Sequence, residues 1–142
     1  MRYLGLDVGT DRIGVALSDE TGLIASPHST LQVKSGLNRA LDQIEALVES
    51  EGVSAVIIGL PLSLDGGAQG ASCGRSKKVG AAVESRCGLA VYYWDERFST
   101  AEAERVLIAA DMGRKARRKV VDKVAAALIL QGYLDARGPA DG

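Results

Sequence analysis

A chain of 142 residues, 46% of them hydrophobic and 25% charged, has the balance of one ordinary globular domain and is too short for two lobes of usual size. Its formal net charge of −1 gives no global attraction to nucleic acid, so any such binding must come from local clusters. No apolar run is long enough to cross a membrane, and the N-terminal apolar stretch, broken by Asp7, does not read as a signal peptide.

Tyr3 to Asp7 reads as a strand, and the turn after it leads into a second, Ile13 to Ser18. Asp19, Glu20, Thr21 and Gly22 supply the next turn, and a third strand is expected near Ser29 to Val33. Leu37, Ala40, Leu41, Ile44, Leu47 and Val48 recur at spacings of three and four, the pattern of an amphipathic helix that Gly52 ends. Ala55 to Leu60 is a continuous apolar run, the mark of a strand buried on both faces, and Pro61 stops it. A Gly-rich loop from Leu62 to Ser72 precedes a helix expected over Lys77 to Ser85, and Leu89 to Trp94 reads as the fifth strand. A helix over about Thr100 to Ala110, a basic segment and a last helix over about Val120 to Ala136 complete the chain.

The order β-β-β-α-β-α-β-α-α predicts an α/β fold with a mixed five-stranded sheet and helices on both faces. A single domain over residues 1–136 and a short flexible tail over 137–142 are expected. Cys73 and Cys87 have no His or Cys neighbours at zinc-ligand spacing and read as free thiols of a reducing cytoplasm. His28, in Ser26-Pro27-His28-Ser29, reads as a surface turn residue and is given no role.

Ligands of such sheets bind outside the carboxyl ends of the strands, and acids collect there. Asp7 ends the first strand before Val8-Gly9-Thr10, and an aspartate at the end of a buried strand is costly unless paired or bound to a cation. Asp95 and Glu96 follow the fifth strand, where alternation lets only one of them aim where Asp7 aims. Asp122 lies near the start of the last helix, sharing a face with Ala125 and Ala126, whose small side chains let that helix approach the sheet. Oxygen-only sets of this kind suit Mg²⁺ or Mn²⁺, and a pair of such ions about 4 Å apart suits an in-line displacement at a phosphodiester. The basic run Arg114, Lys115, Arg117, Arg118 and Lys119 precedes Asp122, a place suited to gripping a phosphate backbone.

Together, Leu4-Gly5-Leu6-Asp7-Val8-Gly9-Thr10, Arg12 to Asp19, Gly59-Leu60-Pro61-Leu62, Asp65-Gly66, Asp95-Glu96-Arg97 with Ser99-Thr100, and Val121-Asp122-Lys123 with Ala125-Ala126 resemble the YqgF family, also called RuvX. Its members are described as Holliday junction resolvases or pre-16S rRNA nucleases. The resemblance covers Tyr3 to about Leu134 and implies an RNase H-like fold, a bacterial cytoplasmic setting and a two-ion Mg²⁺ or Mn²⁺ site. Carried across, Asp7, Glu96 and Asp122 match the family's acidic positions, with Asp95 as an alternative ligand, and the preference for Glu96 over Asp95 rests partly on this likeness. Thr10, Arg12, Arg97 and the basic run are the candidates for holding the substrate. Asp11 stands where relatives commonly carry a basic residue; Arg12 is expected to take over that contact, or Asp11 to add a fourth acid. The implied partner is pre-rRNA or branched DNA, and the implied products carry a 5′-phosphate and a 3′-hydroxyl. A monomer suits RNA trimming and a two-fold homodimer suits paired cuts in a junction. Two other readings compete: a catalytically idle rRNA-binding assembly factor, and an actin-like ATP-binding domain, for which Asp7 to Thr10 resembles the phosphate loop but the chain lacks a second lobe.

Overall fold

The computed structural model describes residues 1–60, 71–95 and 114–137. β1 (Arg2–Val8) carries no charged residue between Arg2 at its start and Asp7 near its end, because it is the middle strand of a five-stranded sheet ordered β3-β2-β1-β4-β5. β2 (Arg12–Ser18) returns antiparallel to β1 and β3 (Ala25–Gln32) antiparallel to β2. β4 (Val53–Leu60) and β5 (Ala90–Asp95) run parallel to β1, as strands joined by helical crossovers must. The meander-then-crossover order read from the sequence is therefore the order found, and the helix expected over Thr100 to Ala110 lies outside the described residues.

Strand alternation divides the core in two. Leu4, Leu6, Val8, Ile13, Val15, Val56 and Ile58 face α1 (Leu37–Glu51) and α2 (Ala71–Cys87). Tyr3, Ala16, Ala55 and Ile57 face α3 (Arg114–Arg137) through Ala126, Ile129, Leu130 and Leu134. Gly52 ends α1 in the left-handed conformation, φ 64°, with its amide donating to the Val48 carbonyl. On the α3 side Gln131 accepts from the Ala25 amide at 2.8 Å and donates to the Leu23 carbonyl at 2.9 Å, holding the β2–β3 turn against the helix.

Three boundaries differ from the sequence reading. β3 begins at Ala25 rather than near Ser29 and runs through Pro27, which is tolerated because β3 is an edge strand. The register passes from Ser29 to Pro27 opposite Val15 and Ala16, so His28 is the extra residue of an edge-strand bulge and not a turn residue. α2 begins six residues before Lys77, because its buried face there is made of small residues, Cys73, Ser76 and Gly80, which give no apolar periodicity. α3 begins at Arg114 and not at Val120: the basic run is the helix's own first two turns, built of good helix formers.

Candidate active site

β1 brings Asp7 to the carboxyl edge of the sheet. Tyr3 and Gly5, at the same parity, lie against α3, so Asp7 belongs to the α3 face. Its antiparallel neighbour is Gly14, and residues directly opposite in a ladder share a face. A Cβ built on Gly14 would penetrate the Asp122 carbonyl oxygen and lie 3.0 Å from the Lys123 amide nitrogen. The α3 backbone at Asp122 thus rests directly on the strand residue beside Asp7, an approach only glycine permits. One turn further on the same thing happens at Gly5, where a Cβ would sit 2.8 Å from Leu130 Cβ and 3.1 Å from the Ala126 carbonyl. Buried Ala125 and Ala126 complete the flat contact, as their small size suggested.

Asp122 is consequently the ninth residue of α3, well past the first turn, and its place is set by packing and not by the helix dipole. Arg12 at the start of β2, on the same face, puts Nε 2.8 Å from Asp122 Oδ2. The contact is ionic without hydrogen-bond alignment, for Oδ2 is buried and has no hydrogen-bond partner. A buried carboxylate oxygen with no donor is expensive in isolation, and it is the kind of atom a hard divalent cation takes as ligand.

The other expected residues distribute as follows. Thr10 and Asp11 are exposed in the β1–β2 turn, closed by the Gly9 amide donating to the Arg12 carbonyl at 2.8 Å, and the Asp11 carbonyl accepts from the Val33 amide at 2.8 Å. Asp95 ends β5 opposite Leu60 and has the parity of Tyr93, whose hydroxyl lies against Gly80 of α2. Alternation therefore places Asp95 on the α2 face, away from Asp7. Glu96 and Arg97 lie outside the described residues. Among the described residues no three His, Cys, Asp or Glu side chains gather at metal-binding distance. Arg114 to Lys119 form helix, and Asp122 packs over Gly14 while Arg137 lies over the Tyr3 ring at 4.9 Å. α3 thus runs antiparallel to β1, and its basic start extends roughly 12 Å past Asp122, beyond the sheet edge.

The sequence reading missed two features. The Arg12–Asp122 pairing has no sequence signal, since it joins residues 110 positions apart. Gly14 had one: an isolated glycine inside an apolar strand marks a close backbone approach. Tyr3 and Tyr133 also join Tyr92 and Trp94 in an aromatic cluster on the α3 face, with Tyr92 and Tyr133 stacked at 5.9 Å.

This edge can be set beside known proteins. The RuvX family profile, described as Holliday junction resolvase, matches residues 1–136. The chain belongs to the RuvX family. A relative from Geobacillus kaustophilus (strain HTA426) is 44% identical over 138 residues, covering 96% of this chain and 99% of its own, and carries the name "Putative pre-16S rRNA nuclease". One from Shouchella clausii (strain KSM-K16) with the same name is 45% identical over 136 residues, covering 95% of each chain. Among solved structures, T. thermophilus RuvC in complex with Holliday junction substrate superposes with a TM-score of 0.62 at 17% identity, covering 96% of both chains. The fold of this RuvX protein is RNase H-like. No described helix is long and apolar enough to cross a membrane.

Proposed function

We propose that this RuvX protein is a divalent-metal-dependent nuclease that hydrolyses phosphodiester bonds in structured nucleic acid, pre-16S rRNA ends or Holliday junctions, in the cytoplasm. The observation that carries the reading is the seating of Asp122 on Gly14, which sets two carboxylate residues side by side on one face at the carboxyl edge. The buried Oδ2 of Asp122, which meets Arg12 Nε at 2.8 Å without hydrogen-bond alignment, is the second support. Asp7 and Asp122 would hold the metal, Mg²⁺ or Mn²⁺, and Glu96, which matches an acidic position of the family, is the third candidate ligand. When bound, a pair of such ions supplies charge stabilisation to the attacked phosphate and to the leaving oxygen.

The chain's own groups do the rest. Asp7 and Asp122, as carboxylates, only accept, and so orient donors and cations rather than give protons. Arg12 is nearly half exposed and carries further donors besides Nε, which can grip a non-bridging phosphate oxygen beside Asp122. Thr10 offers a hydroxyl at the turn. The basic residues Arg114, Lys115, Arg117, Arg118 and Lys119, in the helical turns before Asp122, are candidates for holding the flanking strand. Arg97 is a further phosphate contact.

Purified protein should be incubated with labelled four-way DNA junctions and with precursor rRNA ends, with Mg²⁺, Mn²⁺ or EDTA, beside Asp7→Asn and Asp122→Asn. Metal-dependent cleavage, abolished in both variants, is the expected result, and the better-cut substrate assigns the role. Binding of either substrate without cleavage would refute the nuclease reading in favour of an idle assembly factor.

A further inference from the structure

The opposite face of the same sheet edge carries a second feature. Between the β1–β2 turn, the start of α1 and the middle of α2 lies a cleft of about 170 Å³, walled by Val8, Ile13, Val33, Leu37 and Val79. At its mouth stand Thr10, exposed Lys78 and half-buried Arg75. The aliphatic walls and the volume set the class of occupant. A cavity of roughly 150 Å³ lined by aliphatic groups accepts one aromatic ring, whereas whole small-molecule ligands occupy about 300 Å³ or more. The cleft is thus sized for a single ring and too small for a complete dinucleotide or for ATP. The cations at the mouth match an anion attached to that ring.

Location narrows this further. Thr10 is three residues from Asp7, and a chain extends at most roughly 3.6 Å per residue, so the cleft mouth lies within about 11 Å of the acidic edge. A strand whose phosphate sits at Asp7 can place a neighbouring nucleotide across the edge on the other face. We propose that the cleft is a base-binding subsite: one unpaired base of the substrate, next to the bond to be cut, inserts between Leu37 and Val79 while its phosphate meets Lys78. This rests on the nuclease reading for its substrate class. It makes an extruded or single-stranded base, common to RNA ends and branch points, a requirement for productive binding.

The test walks a single abasic nucleotide along the single-stranded extension of a fluorescent hairpin RNA. Affinity is measured with Ca²⁺ in place of Mg²⁺, for wild type, Leu37→Trp and Lys78→Ala. One position should lose about tenfold in affinity when abasic, and filling the cleft in Leu37→Trp should lower the intact strand to that level and erase the position dependence. Lys78→Ala, an exposed change that leaves the core untouched, should weaken every strand and reduce the salt slope by about one. A flat abasic profile in wild type, or a salt slope unchanged in Lys78→Ala, overturns the subsite whether or not Leu37→Trp folds. Cleavage is scored separately with Mg²⁺. A flat profile with cleavage retained removes the subsite alone, and a peaked profile without cleavage removes the nuclease reading alone.

Discussion

Replacing Gly14 by Ala adds one methyl group where none can fit. The new Cβ would overlap the Asp122 carbonyl oxygen and sit 3.0 Å from the Lys123 nitrogen, and both neighbours are backbone, so neither can rotate away. Either α3 lifts or β2 sinks, by about 1 Å. Overpacking of this sort costs about 1–3 kcal/mol, which for a chain of this size lowers the melting temperature by roughly 3–10 °C. The same lift separates Asp122 from Asp7, and a misplacement of about 1 Å at a reacting centre costs on the order of 10²-fold in rate. The two effects separate by temperature: cleavage measured well below the variant's melting point should still be reduced about 100-fold. Gly74→Ala is the control, for a Cβ there meets nothing within 4 Å, and in a helix that change should stabilise by about 0.5–1 kcal/mol. Wild-type melting and wild-type cleavage in Gly14→Ala would refute the claim that backbone contact at Gly14 sets the site.

Arg12→Gln should tighten Mn²⁺ binding in the absence of nucleic acid by up to about fivefold, since a half-exposed ion pair is worth about 0.2–1 kcal/mol and the cation competes for Asp122; weaker Mn²⁺ binding by calorimetry would contradict it. Asp19 is held down to about 2 by donation from the Thr21 hydroxyl and from the Ile24 and Leu23 amides. A depressed folded-state value stabilises above the ordinary carboxylate range and is lost as pH falls toward 2, so Asp19→Ala should melt lower than wild type at pH 7 and the gap should close between about pH 4 and 2. Divalent metal and nucleic acid should each strengthen the other's binding by the same factor, read by titrating labelled RNA with and without Ca²⁺ and titrating Ca²⁺ with and without RNA; equal affinities in both arms would count against a shared edge.

What the residues announced, and what they did not, has a physical pattern. Strands β1, β4 and β5 are apolar runs bounded by Asp7, Pro61 and Asp95, and helix α1 repeats at three and four, so periodicity alone placed them to within two residues at most boundaries. β3 was legible only in part, because an edge strand with a bulge at His28 and a proline inside carries neither alternation nor an apolar run. The first half of α2 was invisible because its buried side chains are small and polar. At the site, Asp7 could be read from the cost of burying an acid at a strand end, and Asp122 from its place among alanines. Their meeting at one edge was expected from Ala125 and Ala126, but the contact that seats Asp122 was not: it is a helix resting on Gly14, between segments more than 100 residues apart. Parity separated Asp95 from Asp7 only once Tyr93 had been seen against Gly80.

The charge balance of the edge argues for an order of assembly. Asp7 and Asp122 contribute two negative charges there and Arg12 one positive, so among these three groups the edge is net negative, on a chain whose total charge is −1. A phosphate brought within about 4 Å of a carboxylate near a protein surface is opposed by roughly 4 kcal/mol at an effective dielectric of 20. Asp7 and Asp122 would hold a divalent cation that reverses the sign locally, and Arg12 would then be available to turn its guanidinium to the incoming phosphate. If the two acids hold a cation as proposed, they would also act as a gate, repelling the bond to be cut without metal and attracting it with metal. Removing one acid should therefore raise affinity for nucleic acid in EDTA while abolishing the gain from metal, a pair of opposite effects that a purely structural role for Asp7 or Asp122 would not produce.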